Sequence, residues 1–244
     1  MPHARARRRP VQQSLPRTAG WGGKRAGAGR KPGPRPRTRH RARPPHAERH
    51  PVHLTLRARR EAGSLRAPRA HLALVAALTA AQRDSFRVTQ YSVQADHVHL
   101  IAEATDGAAL TAGVQGLVVR AARAINRATG NRGAVWGDRY HRRDLTTPRE
   151  VHHALVYVLC NARKHAAGVP RFDGCSSAPW FDGWRDAPPA APPDLRRPVR
   201  AARSWLLTTG WRRHGLLAPA TTPGERDSWR RVAARQGSVI VTIG

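Results

Sequence analysis

The sequence predicts an α+β fold of the ferredoxin-like kind, an antiparallel sheet with helices on one face. Three observations carry this expectation. Short runs of strand length alternate between apolar and polar residues, Ala/Leu-rich runs of helical period lie between them, and the order is β-α-β-β-α-β with one more helix behind. These elements fill residues 51–168. A basic arm, residues 1–50, precedes them, and a small extension with a Pro-rich linker, residues 169–244, follows.

Val52-His53-Leu54-Thr55-Leu56-Arg57 alternates between Pro51 and a turn at Gly63, the pattern of a strand. Pro68 suits the first turn of a helix, where its missing N–H is no loss, and Arg69 to Gln82 has helical period. Phe86 to Val93 is β-branched and alternating, a second strand. The turn-like Gln94-Ala95-Asp96 joins it to a third strand, His97 to Ala102, as an antiparallel hairpin. Ala108 to Thr129 is a long helix with an apolar stripe through Leu110, Val114, Leu117 or Val118, Ala121 and Ile125, closed by Gly130. Arg120, Arg123 and Arg127 occupy its other face. Val135 to Leu145, around Trp136, is expected as a fourth strand. Thr147 and Pro148 then offer an N-cap and a first-turn proline to a helix that runs to about Lys164.

Charge and composition narrow the function classes. The 244 residues include 44 Lys+Arg and 15 Asp+Glu, a formal net charge of +29. A chain this cationic repels itself until a polyanion neutralises it, and nucleic acid is the commonest such partner. About half of the excess lies in residues 1–50, whose only acid is Glu48. That arm has too few bulky apolar side chains to offset chain entropy and is expected to be disordered. Within it, the stretch around Arg30 and Lys31 resembles an AT-hook without its Gly-Arg-Pro core; its plainer reading is a tail that holds phosphates non-specifically. The longest apolar run, Leu72 to Ala81, is too short for a membrane span. The basic start leads into Pro10-Val11-Gln12-Gln13 rather than an apolar signal core. Cys160 and Cys175 are too few for a disulfide framework or a Cys-rich zinc site. A cytoplasmic protein with no membrane partner is expected. In the extension, Ala187 to Pro193 reads as a linker. Trp180, Trp184, Trp205 and Trp211, with Leu206 and Leu207, read as short helices packing on the domain.

Two local patterns carry chemistry. In His97-Val98-His99, residues i and i+2 of a strand point to one face, so two imidazoles project together and can offer two nitrogens to a divalent metal. A chance His-x-His in a chain with 13 histidines is the bland alternative. Tyr157 and Asn161 lie one helical turn apart and share a face; a core tyrosine and a helix-end asparagine would look the same.

Together these patterns resemble the single-tyrosine HUH transposases, and most of all the REP-associated tyrosine transposases. The matching stretches are Tyr91 to Ile101, Val135 to His141 and Ala154 to Ala162, in order, across roughly residues 50–168. Where such proteins usually have a Met-Pro-Asn type turn, this chain has Gln94-Ala95-Asp96, and Asn161 is followed by Ala162 rather than proline. The resemblance implies the HUH endonuclease fold and metal-dependent nicking and joining of single-stranded DNA. Tyr157 would be the nucleophile, forming a 5′-phosphotyrosine, while His97, His99 and Asn161 would hold Mg²⁺ or Mn²⁺. Arg139, Arg142 and Arg143 are the expected phosphate clamps, with Arg120, Arg123, Arg30 and Lys31 as further DNA contacts. Hairpin or palindromic DNA is the expected partner, and a second copy of the chain is another, as homodimers are common in the wider family. The alternative is a non-catalytic DNA- or RNA-binding protein on the same scaffold.

Overall fold

The computed structural model describes residues 44–161, 172–188, 190–191, 196–219 and 221. Four strands, β1 (Val52–Arg57), β2 (Phe86–Val93), β3 (His97–Ala104) and β4 (His141–Asp144), form one sheet in the order β2-β3-β1-β4. Every neighbouring pair is antiparallel. Helices α1 (Pro68–Ala81) and α2 (Gly107–Thr129) make the two crossovers, each passing over one strand, which is the ferredoxin-like arrangement expected. A third helix, α3 (Pro148–Cys160), follows β4.

Strand alternation divides the interior into two layers. Val52, Leu54 and Leu56 of β1 and Val98, Leu100 and Ala102 of β3 join α1 and α2 in one core. Ile101 points the other way and joins Leu155, Val158 and Leu159 of α3. The two crossover helices thus cover one face of the sheet, and α3 covers part of the opposite one. Local chemistry sets the helix ends. The Asp106 side chain accepts a hydrogen bond from the backbone N–H of Ala109 at α2's start, and Gly130 ends that helix at φ 75°, a left-handed conformation that costs glycine little. Thr147 and Glu150 form a reciprocal capping box at α3, with Pro148 in the first turn.

The fourth strand is shorter than Val135 to Leu145. Its ladder covers His141–Asp144, and pairing with the β1 side resumes as an isolated bridge between Ala58 and Trp136. Between these points β1 advances from Thr55 to Ala58 while the partner runs from His141 back to Trp136, so the surplus residues loop out and interrupt the ladder. Trp136 is fastened by its indole N–H, which donates to the Val118 carbonyl at 2.9 Å.

The extension builds onto the α3 face. Trp184, Leu206, Leu207 and Trp211 of the expected set are buried with α3 and Ile101, joined by Leu217, whereas Trp180 packs against the other core and Trp205 stays 49% exposed. Among the described residues of the extension, the expected helices reduce to one α-helical turn, α4 (Trp205–Thr208), with 3-10 turns beside it. Arg66 forks onto Asp173 at 2.7 and 2.9 Å, and the Glu103 carboxylate accepts the backbone N–H groups of Arg203 and Ser204. Residues 189, 192 and 193 of the expected linker lie outside the described residues. No helix among the described residues is long and apolar enough to cross a membrane.

Candidate active site

The register of the sheet gathers histidines before any helix is added. His53, Thr55 and Arg57 of β1 stand opposite Ile101, His99 and His97 of β3, while Thr55 and His53 also stand opposite His141 and Arg143 of β4. Directly paired residues project to the same side of a sheet. His53, His97, His99 and His141 therefore share the face that α3 crosses. The His97 and His99 rings are edge-on with centroids 4.7 Å apart.

Helix α3 delivers Tyr157 to this row. Its ring lies edge-on to His99 at 4.9 Å and to His53 at 5.8 Å between centroids. Tyr91 is buried in the core beneath α1 and α2, and Tyr140 packs against that same core. Burial raises the Tyr91 phenol's pKa, which makes it a poor source of phenolate.

Both motif histidines use Nδ1 for a protein contact. His97 Nδ1 lies 2.6 Å from Asp96 Oδ1, and His99 Nδ1 lies 3.2 Å from both Thr55 Oγ1 and His53 Nε2. Engaging Nδ1 in this way leaves Nε2 as the atom each ring could offer to a metal. His53, which neither sequence motif includes, is buried. Burial, then the nearby charges of His141 and Arg143, lowers its pKa from 6.5 to about 3. It is therefore neutral near pH 7.

Among the described residues no three His, Cys, Asp or Glu side chains are grouped so as to hold a metal ion. A third protein ligand would have to be of another type. Asn161 answers that description: it follows Tyr157 by one turn, is completely buried, and neither side-chain amide atom has a hydrogen-bond partner among the described residues. An unsatisfied buried amide costs about 1–3 kcal/mol, a cost that ligation through Oδ1 would relieve in part. Two imidazole nitrogens and one amide oxygen suit Mn²⁺ well and Mg²⁺ acceptably.

The arginines are more dispersed than the histidines. Arg143 projects onto the histidine face but donates to Glu150 Oε1 at 2.8 Å. Arg142 points to the other face, where it forks onto Asp144 at 2.8 and 2.9 Å. Arg139 is exposed in the loop before β4. Arg120 and Arg123 are exposed on α2 and, with Arg127, line an open groove of about 660 Å³ on the far side of the sheet from Tyr157. The structure thus brings together His97, His99 and Tyr157 but separates them from Arg120 and Arg123. His152 and His153 are half-buried on α3, with His152 near Trp211 and His214. Arg30 and Lys31 lie outside the described residues, as do Ala162 and the end of the expected helix at Lys164.

Comparison with known proteins gives three findings. Residues 47–156 match the family model described as "Transposase IS200 like"; the match ends one residue before Tyr157. A solved structure described as a REP-associated tyrosine transposase bound to a REP hairpin is similar at 18% identity, with a TM-score of 0.44, over 52% of this chain and 74% of that one. No curated protein matches the chain.

Proposed function

We propose, from the match of residues 47–156 to the IS200-like transposase model, that the chain nicks and rejoins single-stranded DNA through a covalent link to Tyr157. The observation that carries the proposal is the meeting of Tyr157 with His99 at 4.9 Å, between a helix and a strand far apart in sequence. Tyr157 adjoins His99 and sits on the helix that Asn161 caps.

In this reading the Tyr157 oxygen attacks the scissile phosphorus. A P–O bond to tyrosine forms as the P–O3′ bond breaks, and the phenol proton ends on the departing 3′-hydroxyl. The phosphotyrosine conserves the phosphodiester's energy, so a 3′-hydroxyl can reverse the step on the same or another strand. His97, His99 and Asn161 would hold the divalent cation, Mg²⁺ or Mn²⁺. That cation supplies charge to neutralise the non-bridging phosphate oxygens and to favour the phenolate. Asp96 fixes the His97 imidazole. The packing of α3 on Ile101 through Leu155 and Val158 holds the phenol at the histidine row. Arg139 is the most available clamp for flanking phosphates, since Arg142 and Arg143 already share their charge with carboxylates. The net charge of +29 and the exposed arginines of α2 support hairpin or single-stranded DNA as the partner.

The test is a covalent-adduct assay with Mn²⁺ and a panel of hairpin oligonucleotides. A protein–DNA adduct is expected for wild type and none for Tyr157→Phe. Tight binding with no adduct on any substrate would instead establish a non-catalytic binder, whose affinity His97→Ala and Tyr157→Phe would leave unchanged.

A further inference from the structure

A metal-binding imidazole needs more than the right strand position. Ligation through Nε2 uses the lone pair on that atom, so the ring proton must sit on Nδ1, and a buried Nδ1–H needs an acceptor. His99 is 4% exposed, too enclosed for bulk water to serve. Two atoms stand at 3.2 Å from its Nδ1, the Thr55 hydroxyl oxygen and His53 Nε2. They are not equivalent. A hydroxyl carries its own proton and rotates, so it donates or accepts as its surroundings dictate. The lone pair of a neutral imidazole is fixed in the ring plane, and the His53 ring is itself held: it is 5% exposed, stacks on His99 at 5.2 Å and meets the edge of Tyr157 at 5.8 Å.

We propose that His53 is a positioning residue, accepting the Nδ1 proton of His99 so that this ring presents Nε2 to the metal. The inference rests on the metal-site reading of His97, His99 and Asn161. It adds an outer layer on β1 that links metal ligand and nucleophile, because the ring that orients His99 also touches Tyr157. His53 belongs to neither motif, yet the β1–β3 register places it diagonally beside His99.

The experiment is calorimetric titration of the full metal-free chain with Mn²⁺, without DNA, for wild type, His97→Ala, His53→Phe and His53→Gln. Phenylalanine keeps the stacked ring and offers no acceptor, whereas the Gln amide oxygen can replace Nε2. His53→Phe should weaken Mn²⁺ binding by about 10–100-fold, the usual effect of losing a hydrogen-bond partner of a ligand. His53→Gln should stay within about threefold of wild type. A merely structural role for His53 would not be rescued by glutamine in this way. Should the Phe variant fail to fold by circular dichroism, His53→Leu takes its place. The positioning role is overturned if the folded variant without an acceptor binds Mn²⁺ within twofold of wild type, or if His53→Gln is as weak as that variant. If wild type binds Mn²⁺ no more tightly than His97→Ala, the metal site itself is refuted and the role of His53 with it, a result distinct from the others.

Discussion

Gly113 and Gly116, three residues apart on α2, carry opposite expectations for the same substitution. A Cβ at Gly113 would stand 2.1 Å from Cγ of Phe86 and 2.5 Å from both of its Cδ atoms. Carbon atoms in contact sit at roughly 3.5–4.0 Å, so the ring or the helix must withdraw by more than about 1 Å. Phe86 is wholly buried at the start of β2, in an interior with no spare volume. Overpacking of this kind costs about 1–3 kcal/mol, and a clash this deep belongs at the upper end. Alanine recovers about 1 kcal/mol of helix propensity over glycine, leaving a net loss of about 2 kcal/mol for Gly113→Ala. At Gly116 nothing lies within 4 Å of the new methyl group. Only the propensity gain remains, and Gly116→Ala should stabilise the protein by about 0.5–1 kcal/mol. Urea unfolding followed by circular dichroism measures both through their midpoints. The reasoning is refuted if Gly113→Ala is as stable as wild type, or if both variants move in the same direction.

Two further outcomes follow from charge. In metal-free protein, stability should fall as pH drops below about 6.5, because burial holds His53 near 3 and also lowers the pKa of His71. The unfolded chain then binds protons that the native state refuses; each such group contributes a slope of up to about 1.4 kcal/mol per pH unit, and His71→Asn should flatten the acid limb of a pH series of urea midpoints. Replacing Arg120, Arg123 and Arg127 together by Gln should reduce the slope of log affinity against log salt for hairpin DNA by about 2–3. An unchanged slope would make that face of α2 a solvated surface.

Most of the scaffold was legible because each element announces itself locally. Alternation marked β1 to β3, Thr147-Pro148 marked the start of α3, and Gly130 marked the end of α2. The fourth strand was over-extended because β-prone residues around Trp136 do resume pairing, and only the tertiary register reveals the residues looped out before His141. His53 was passed over for a different reason. In an alternating strand it occupies the polar set, which reads as a solvent-facing position until α3 and β4 close over it. Its signal lay in topology: once β1 is placed beside β3, residue 53 must share a face with residues 99 and 101. The partners of Arg142 and Arg143 were equally invisible, since a basic pair looks the same in sequence whether it meets a phosphate or the carboxylates of Asp144 and Glu150.

The attachment of residues 203 and 204 to β3 bears on how this chain can be divided. The family match stops at residue 156, inside α3, yet the apolar side of that helix is completed by Leu206, Leu207 and Trp211. A truncation at that border would expose these partners' footprint to water. It would also strip the enclosed Glu103 carboxylate of both N–H donors, on the very strand that bears His97 and His99. The border of the family match and the border of the packed core therefore differ here. The described part of the tail behaves as a keystone, bracing from outside the strand that bears the histidine pair.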